Sequence, residues 1–88
     1  MSIGEDFSER RGRRAAFLGA LYAATEGHVA EFVSASEIAS ALGVGGPELA
    51  RMLAYLEERH WIAVDDHRAG IVRITADGVD RVEAGPTG

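Results

Sequence analysis

The sequence predicts a mainly α-helical domain with a small antiparallel β-hairpin. Three observations carry that expectation. Apolar residues recur at helical spacing, most clearly at Leu49, Met52, Leu53 and Leu56, which fall at i, i+3, i+4 and i+7. Two alternating runs, Trp61 to Asp65 and Ile71 to Thr75, flank the polar stretch Asp66, His67, Arg68, Ala69 and Gly70, the pattern of a hairpin with a five-residue tip. Capping and turn residues, among them Gly27, Gly43, Pro47 and Thr75, bound the periodic stretches. The 88 residues suffice for one domain with a single core, and leave little chain for an enclosed active site.

Taken in order, Met1 to Asp6 shows no period and is expected to be mobile. The run ERRGRR follows at residues 9–14. On a helix Arg10, Arg11 and Arg14 would share a side, a compact cationic patch suited to phosphates or an acidic partner. Gly12 in its middle lowers helix propensity by about 1 kcal/mol relative to alanine. The plainer reading is a solvated first turn pairing with Glu5, Asp6 and Glu9. From Ala15 to Thr25, the residues Phe17, Leu18, Leu21 and Tyr22 form the stripe of a first core helix, and Gly27 is its natural stop. Extended backwards from Leu18, that stripe lands on Arg14 and Arg11. The buried face therefore ends near Ala15, and residues 1–14 read as an arginine-rich extension to a domain spanning 15–84.

Val29 to Val33 suits a brief strand or an extended lead-in. Ser34 precedes Glu37 by three residues, the spacing of a capping box. Ile38, Ala39 and Leu42 then form the inward face of a two-turn helix, which Gly43 ends. Pro47 suits the first turn of the next helix, where no backbone donor is needed, and Glu48 complements the helix dipole. Its outer face carries Glu48, Arg51, Tyr55 and Glu58, with Ala54 beside them, and it ends around Arg59 and His60. Thr75 caps a last helix containing Val79 and Val82, and residues 85–88 read as a disordered tail.

There is no cysteine, so disulfides, thiolate zinc sites and cysteine nucleophiles are excluded. The uncharged run that begins at Ala15 ends at Glu26, too short to span a bilayer, and no secretory leader pattern is present. No membrane association and a cytoplasmic location are expected. All nine basic residues are arginine, beside abundant alanine and glycine, a composition associated with GC-rich bacterial genomes. Net charge is −5 and unevenly spread. Residues 1–14 hold four arginines against three acids, whereas residues 15–88 hold eleven acids against five arginines, a charge of −6. A body of that sign repels a phosphate backbone unless cations are gathered locally.

The segments SEIASALGV, LARMLAYLEERHWIAV and VRITADGVDRVE resemble the winged helix-turn-helix family of small bacterial transcriptional regulators. They match its first motif helix and turn, its second helix and strand, and its last strand and helix. The resemblance covers about residues 15–84. It implies a three-helix core, a wing at the hairpin and a short C-terminal helix, in a DNA-binding protein of transcription regulation. Many members pair through their first and last helices, so a homodimer is implied as well. The family commonly has glycine where this chain has His60, and histidine tolerates a left-handed position better than a β-branched residue would.

Carried onto this chain, the resemblance implies that Arg51 meets a guanine edge and Tyr55 a sugar or phosphate, with His67 and Arg68 at the wing tip. Arg10, Arg11, Arg13 and Arg14 would add phosphate contacts. The surroundings depart from a base-reading pattern: Gly45, Gly46, Glu48 and Ala50 are small or acidic, and Asp65 and Asp66 offset the wing cations. Free N–H groups in the glycine turn suit a phosphate, but Pro47 contributes none and Glu48 opposes an anion.

The competing expectation is a non-enzymatic protein–protein interaction module that keeps the fold without sequence-specific DNA reading. Exposed Tyr55, the acidic surface and the arginine extension suit an unidentified protein partner. Phe17, Leu21, Tyr22, Val79 and Val82 would serve a dimer seam if the apolar stripe is wider than the core needs. His28, His60 and His67 with Asp65 and Asp66 lack metal-ligand spacing, and no nucleophile, base and acid fall into a catalytic pattern. No metal, cofactor or enzymatic activity is therefore expected. Trp61 is expected to pack where the long motif helix meets the hairpin rather than to serve as a ligand platform.

Overall fold

The structure, a computed structural model, describes residues 3–85. Within them, four helices and a three-stranded antiparallel sheet follow in the order α1 (Ile3–Thr25), β1 (Val33–Ser34), α2 (Ala35–Leu42), α3 (Gly46–Glu58), β2 (Ile62–Asp66), β3 (Ile71–Ile74) and α4 (Ala76–Glu83). The expected mainly helical chain with a small hairpin is thus observed, and the brief strand considered for Val29 to Val33 forms only at its end, as β1. None of these helices is long and apolar enough to cross a membrane.

β3 is the central strand. It pairs with β2 through Ile62 opposite Ile74 and Val64 opposite Val72, and with β1 through Val33 opposite Val72. Alternation puts Ile62, Val72 and Ile74 on the inner face, where all three are buried. A register shift between Val64 and Asp66 bends β2 away before the turn. The N–H of Ala35 donates to the Gly70 carbonyl at 2.8 Å, so α2 starts from the base of the hairpin.

The core joins Phe17, Leu18 and Leu21 of α1, Ala35 and Ile38 of α2, and Met52 and Leu56 of α3 to the inner sheet face. Phe17 and Leu21 are wholly buried within the single chain, which makes them core and removes them from any dimer seam. Leu42 departs from its expected place. It is 39% exposed, while Ala35 at the other end of α2 is buried, because this short helix meets the core through its first turns.

Helix ends follow local chemistry in most places. Gly43 closes α2 in the left-handed region at φ 72°, and the Val44 N–H reaches back to the Ala39 carbonyl. His60 does the same for α3 at φ 63°: its N–H bonds the Glu57 carbonyl and that of Trp61 bonds the Leu56 carbonyl, the Schellman pattern. Thr75 caps α4 by accepting from the Gly78 N–H at 3.0 Å. The capping box at Ser34 and Glu37 does not form. Ser34 belongs to β1, and its hydroxyl pairs with that of Ser36 at 2.9 Å instead of with the backbone.

α1 extends further than its apolar stripe. It runs without a break from Ile3 through Gly12 to Thr25, so the arginine run and the apolar stripe share one helix. Acids early in the helix and an i,i+4 contact between Glu9 and Arg13 favour this continuation where burial does not. Met1, the side chains of Glu5 and Asp6, and the tail beyond Gly85 lie outside the described residues.

Candidate nucleic-acid interface

The arginine turn of α1 lies against the outer side of α3. Its placement follows from helical phase, because Arg14, Arg13 and Arg10 stand at i−3, i−4 and i−7 from Phe17, which is wholly buried. A groove results, lined by Glu9, Arg10, Arg13 and Arg14 from α1 and by Glu48, Arg51, Met52 and Tyr55 from α3. Helical spacing within ERRGRR predicts that Arg10, Arg11 and Arg14 share a side, and the stripe traced back from Leu18 lands on Arg14 and Arg11. The stripe through Phe17 is the one that continues, so Arg13 enters the groove and Arg11 stays exposed outside it.

Two contacts fasten the helices across this groove. Arg13 Nη1 donates to Glu48 Oε2 at 2.6 Å, and its Nη2 donates to Glu9 Oε2 at 3.3 Å. The hydrogen bond to Glu48, then the Glu48 charge and that of Glu9, hold the Arg13 guanidinium above its ordinary value. Arg14 places its guanidinium 3.9 Å from the centroid of the Tyr55 ring. Tyr55 in turn meets Trp61 edge-on, with centroids 6.3 Å apart and planes at 68°. Arg59 and Arg81 also lie over Trp61, at 5.0 and 5.4 Å, so the indole packs between the end of α3, the start of the hairpin and α4, as its position in the sequence suggested.

These contacts change the meaning of the outer face of α3. Tyr55 is 38% exposed, and its ring face is covered by Arg14 instead of being offered to a ligand. Glu48 is engaged rather than facing solvent alone. Arg51 remains exposed and enters no ion pair among the described residues. Pro47 and Ala50, both exposed, add no polar side chain to the start of the helix.

The hairpin tip is a separate element of the surface. The Asp66 carboxylate accepts from the N–H groups of Arg68 at 2.9 Å and Ala69 at 3.0 Å, an Asx turn that shapes the tip. His67 Nε2 lies 3.3 Å from Glu57 Oε1, which draws the tip toward the last turns of α3. Arg68 is exposed there. Of the eight residues expected in a DNA contact, Arg10, Arg13, Arg14, Arg51 and Tyr55 share one groove, while Arg11, His67 and Arg68 lie outside it.

Glu9 and Met52 complete the groove and were not expected there. Met52 was expected in the core, and it serves both: 4% exposed, it forms the floor between the two helices. Tracing the α1 stripe from Phe17 as well as from Leu18 would have brought Glu9 close, since it neighbours Arg10 and precedes Arg13 by one helical turn. Among the described residues no group of three or more His, Asp or Glu side chains converges as a metal site would require. No protein-family model matches the chain, and no curated protein or solved structure matches it either.

Proposed function

We propose that this chain is a winged helix-turn-helix protein that binds double-stranded DNA with the outer side of α3 and the arginine turn of α1, in the manner of a small bacterial transcriptional regulator. One observation carries the reading: Arg10, Arg13, Arg14 and Arg51 converge on one groove in a chain whose net charge is −5. Four arginines against Glu9 and Glu48 leave this patch positive while the remainder of the chain is acidic. An acidic body with one cationic face orients a duplex toward that face. The order α1, β1, α2, α3, β2, β3, α4, with its β2–β3 hairpin, supports the winged-helix reading, in which that hairpin would serve as the wing.

Such an interface binds mainly through phosphates. Arg51 is the one groove cation on α3 itself and suits a guanine edge, whereas Arg10 and Arg14 of α1 suit the backbone. Titration of a labelled duplex followed by anisotropy at several salt concentrations tests the reading. Salt-sensitive binding is expected, weakened alike on all sequences by Arg10→Ala with Arg14→Ala, and losing discrimination between sequences with Arg51→Ala. Absence of salt-sensitive binding at low ionic strength would remove the proposal.

A second reading, the interaction module, is favoured by Val29 and Phe32, which are 40% and 50% exposed in the segment before β1. Exposed apolar residues near one another suit a protein partner. Affinity capture from the native host separates the two, a stoichiometric protein partner without associated DNA favouring the module.

A further inference from the structure

We infer that Glu48 is a built-in phosphate mimic, which withholds Arg13 from DNA and thereby sets the affinity and salt dependence of the groove. The inference rests on the DNA-binding reading above and adds a regulatory element to the same site. Arg13 and Glu48 come from different helices, 35 residues apart, so the 2.6 Å contact belongs to the tertiary arrangement and not to one helix's own spacing. Geometry favours Glu48 over Glu9 as the partner, because the Glu9 contact is longer at 3.3 Å and its side chain is 66% exposed. A carboxylate that accepts from a guanidinium offers the same chemistry as a phosphate, negative charge on oxygen acceptors. Sitting in the first turn of α3, Glu48 is also held by the helix dipole, which steadies it as the resident anion.

The consequence is electrostatic. With its guanidinium committed to Glu48, Arg13 contributes no phosphate contact, and the carboxylate repels any phosphate brought to its neighbours. Removing the carboxylate charge frees one cation and removes one repulsion at the same point. Glu58 provides the comparison: it is exposed, carries the same charge on the same helix and does not line the groove.

The test is a duplex titration at several salt concentrations for the full chain, Glu48→Gln, Glu58→Gln, and Glu48→Gln combined with Arg13→Ala. Glu48→Gln is expected to bind more tightly at low salt, with log K against log salt steeper by about 0.9, the increment of one added phosphate contact. Glu58→Gln keeps the unmodified slope, and Arg13→Ala returns the Glu48→Gln protein to it. Circular dichroism of each variant checks that α3 is retained. Binding by Glu48→Gln alone, with none by the unmodified chain, removes the DNA-binding reading of the unmodified chain while keeping Glu48 as the group that closes the groove to phosphate. Binding of the unmodified chain with an unchanged slope in Glu48→Gln, or equal gains from Glu48→Gln and Glu58→Gln, would overturn the mimic and leave the DNA reading standing. No binding by either the unmodified chain or Glu48→Gln overturns both.

Discussion

The Arg14 guanidinium covers the Tyr55 ring at 3.9 Å, and this contact ties the arginine turn of α1 to the outer side of α3. A partly exposed cation–π pair contributes about 0.5–1 kcal/mol, and the edge-on pair of Tyr55 with Trp61 adds a term of the same order. Tyr55→Ala is expected to lower stability by about 1–2 kcal/mol, the sum of those two ring contacts, whereas Tyr55→Phe keeps both and stays within about 0.5 kcal/mol of the parent. Urea unfolding followed by the emission of Trp61, the single tryptophan, measures both. Equal losses in the two variants would show that the hydroxyl, and not the ring, makes the contact.

Alanine is expected to have opposite effects at two helical glycines. A Cβ on Gly78 would meet the Trp61 carbonyl oxygen at 2.0 Å and Ile74 Cγ1 at 2.8 Å, so α4 lies against the hairpin at a distance only glycine allows. Gly78→Ala forces backbone to shift and is expected to cost at least about 1–3 kcal/mol. Gly19 in α1 has nothing within 4 Å of the same position. Gly19→Ala is therefore expected to stabilise by about 0.4–1 kcal/mol. Chemical denaturation of the pair checks the signs, and a stable Gly78→Ala protein would contradict the described packing of α4.

His60 holds a left-handed conformation that costs a side-chain-bearing residue about 1–2 kcal/mol relative to its preferred regions. Its backbone carries the Schellman bonds that end α3, and its side chain is exposed. His60→Gly is expected to raise stability by roughly 0.5–1 kcal/mol after the greater freedom of glycine in the unfolded chain is deducted. A fall in thermal midpoint would show that the imidazole has a role beyond the turn.

The Tyr22 hydroxyl donates to Glu83 Oε2 at 2.9 Å and links α1 to α4. That hydrogen bond first, then the Glu83 charge, then burial, hold the phenol above its ordinary value of 10.0. The folded state thus keeps the proton more firmly than the unfolded chain does. The contribution is complete below pH 10 and is lost as pH rises through the raised folded value. Denaturant titrations across the alkaline range are expected to show the parent losing its advantage over Tyr22→Phe there. Parallel curves would contradict the link.

Most of the fold was legible because period and caps act locally. The Leu49, Met52, Leu53 and Leu56 stripe, Gly43 and Thr75 each specify an outcome from a few neighbouring residues. Where the outcome depended on distant chain, local signals misled. Ser34 has a capping-box spacing, but pairing of β1 with β3 uses its backbone, and Ser36 takes its hydroxyl. Leu42 lies on the apolar side of α2 yet projects past the end of the core. The groove was half legible: Arg51, Tyr55 and the α1 arginines were identifiable by type, but which arginines face α3 depends on whether the stripe passes through Phe17 or Leu18. Both side chains are buried, and only the packing of α1 across α2, α4 and the sheet determines the phase.

The central claim, that α3 and the arginine turn of α1 form one DNA-facing surface, is tested most directly by amide chemical shifts of the isotopically labelled chain during titration with a duplex at low salt. Shifts concentrated at residues 9–14 and 46–55, and reversed by added salt, are the predicted result. An unchanged spectrum, or shifts centred on α4 and the segment before β1, would contradict it.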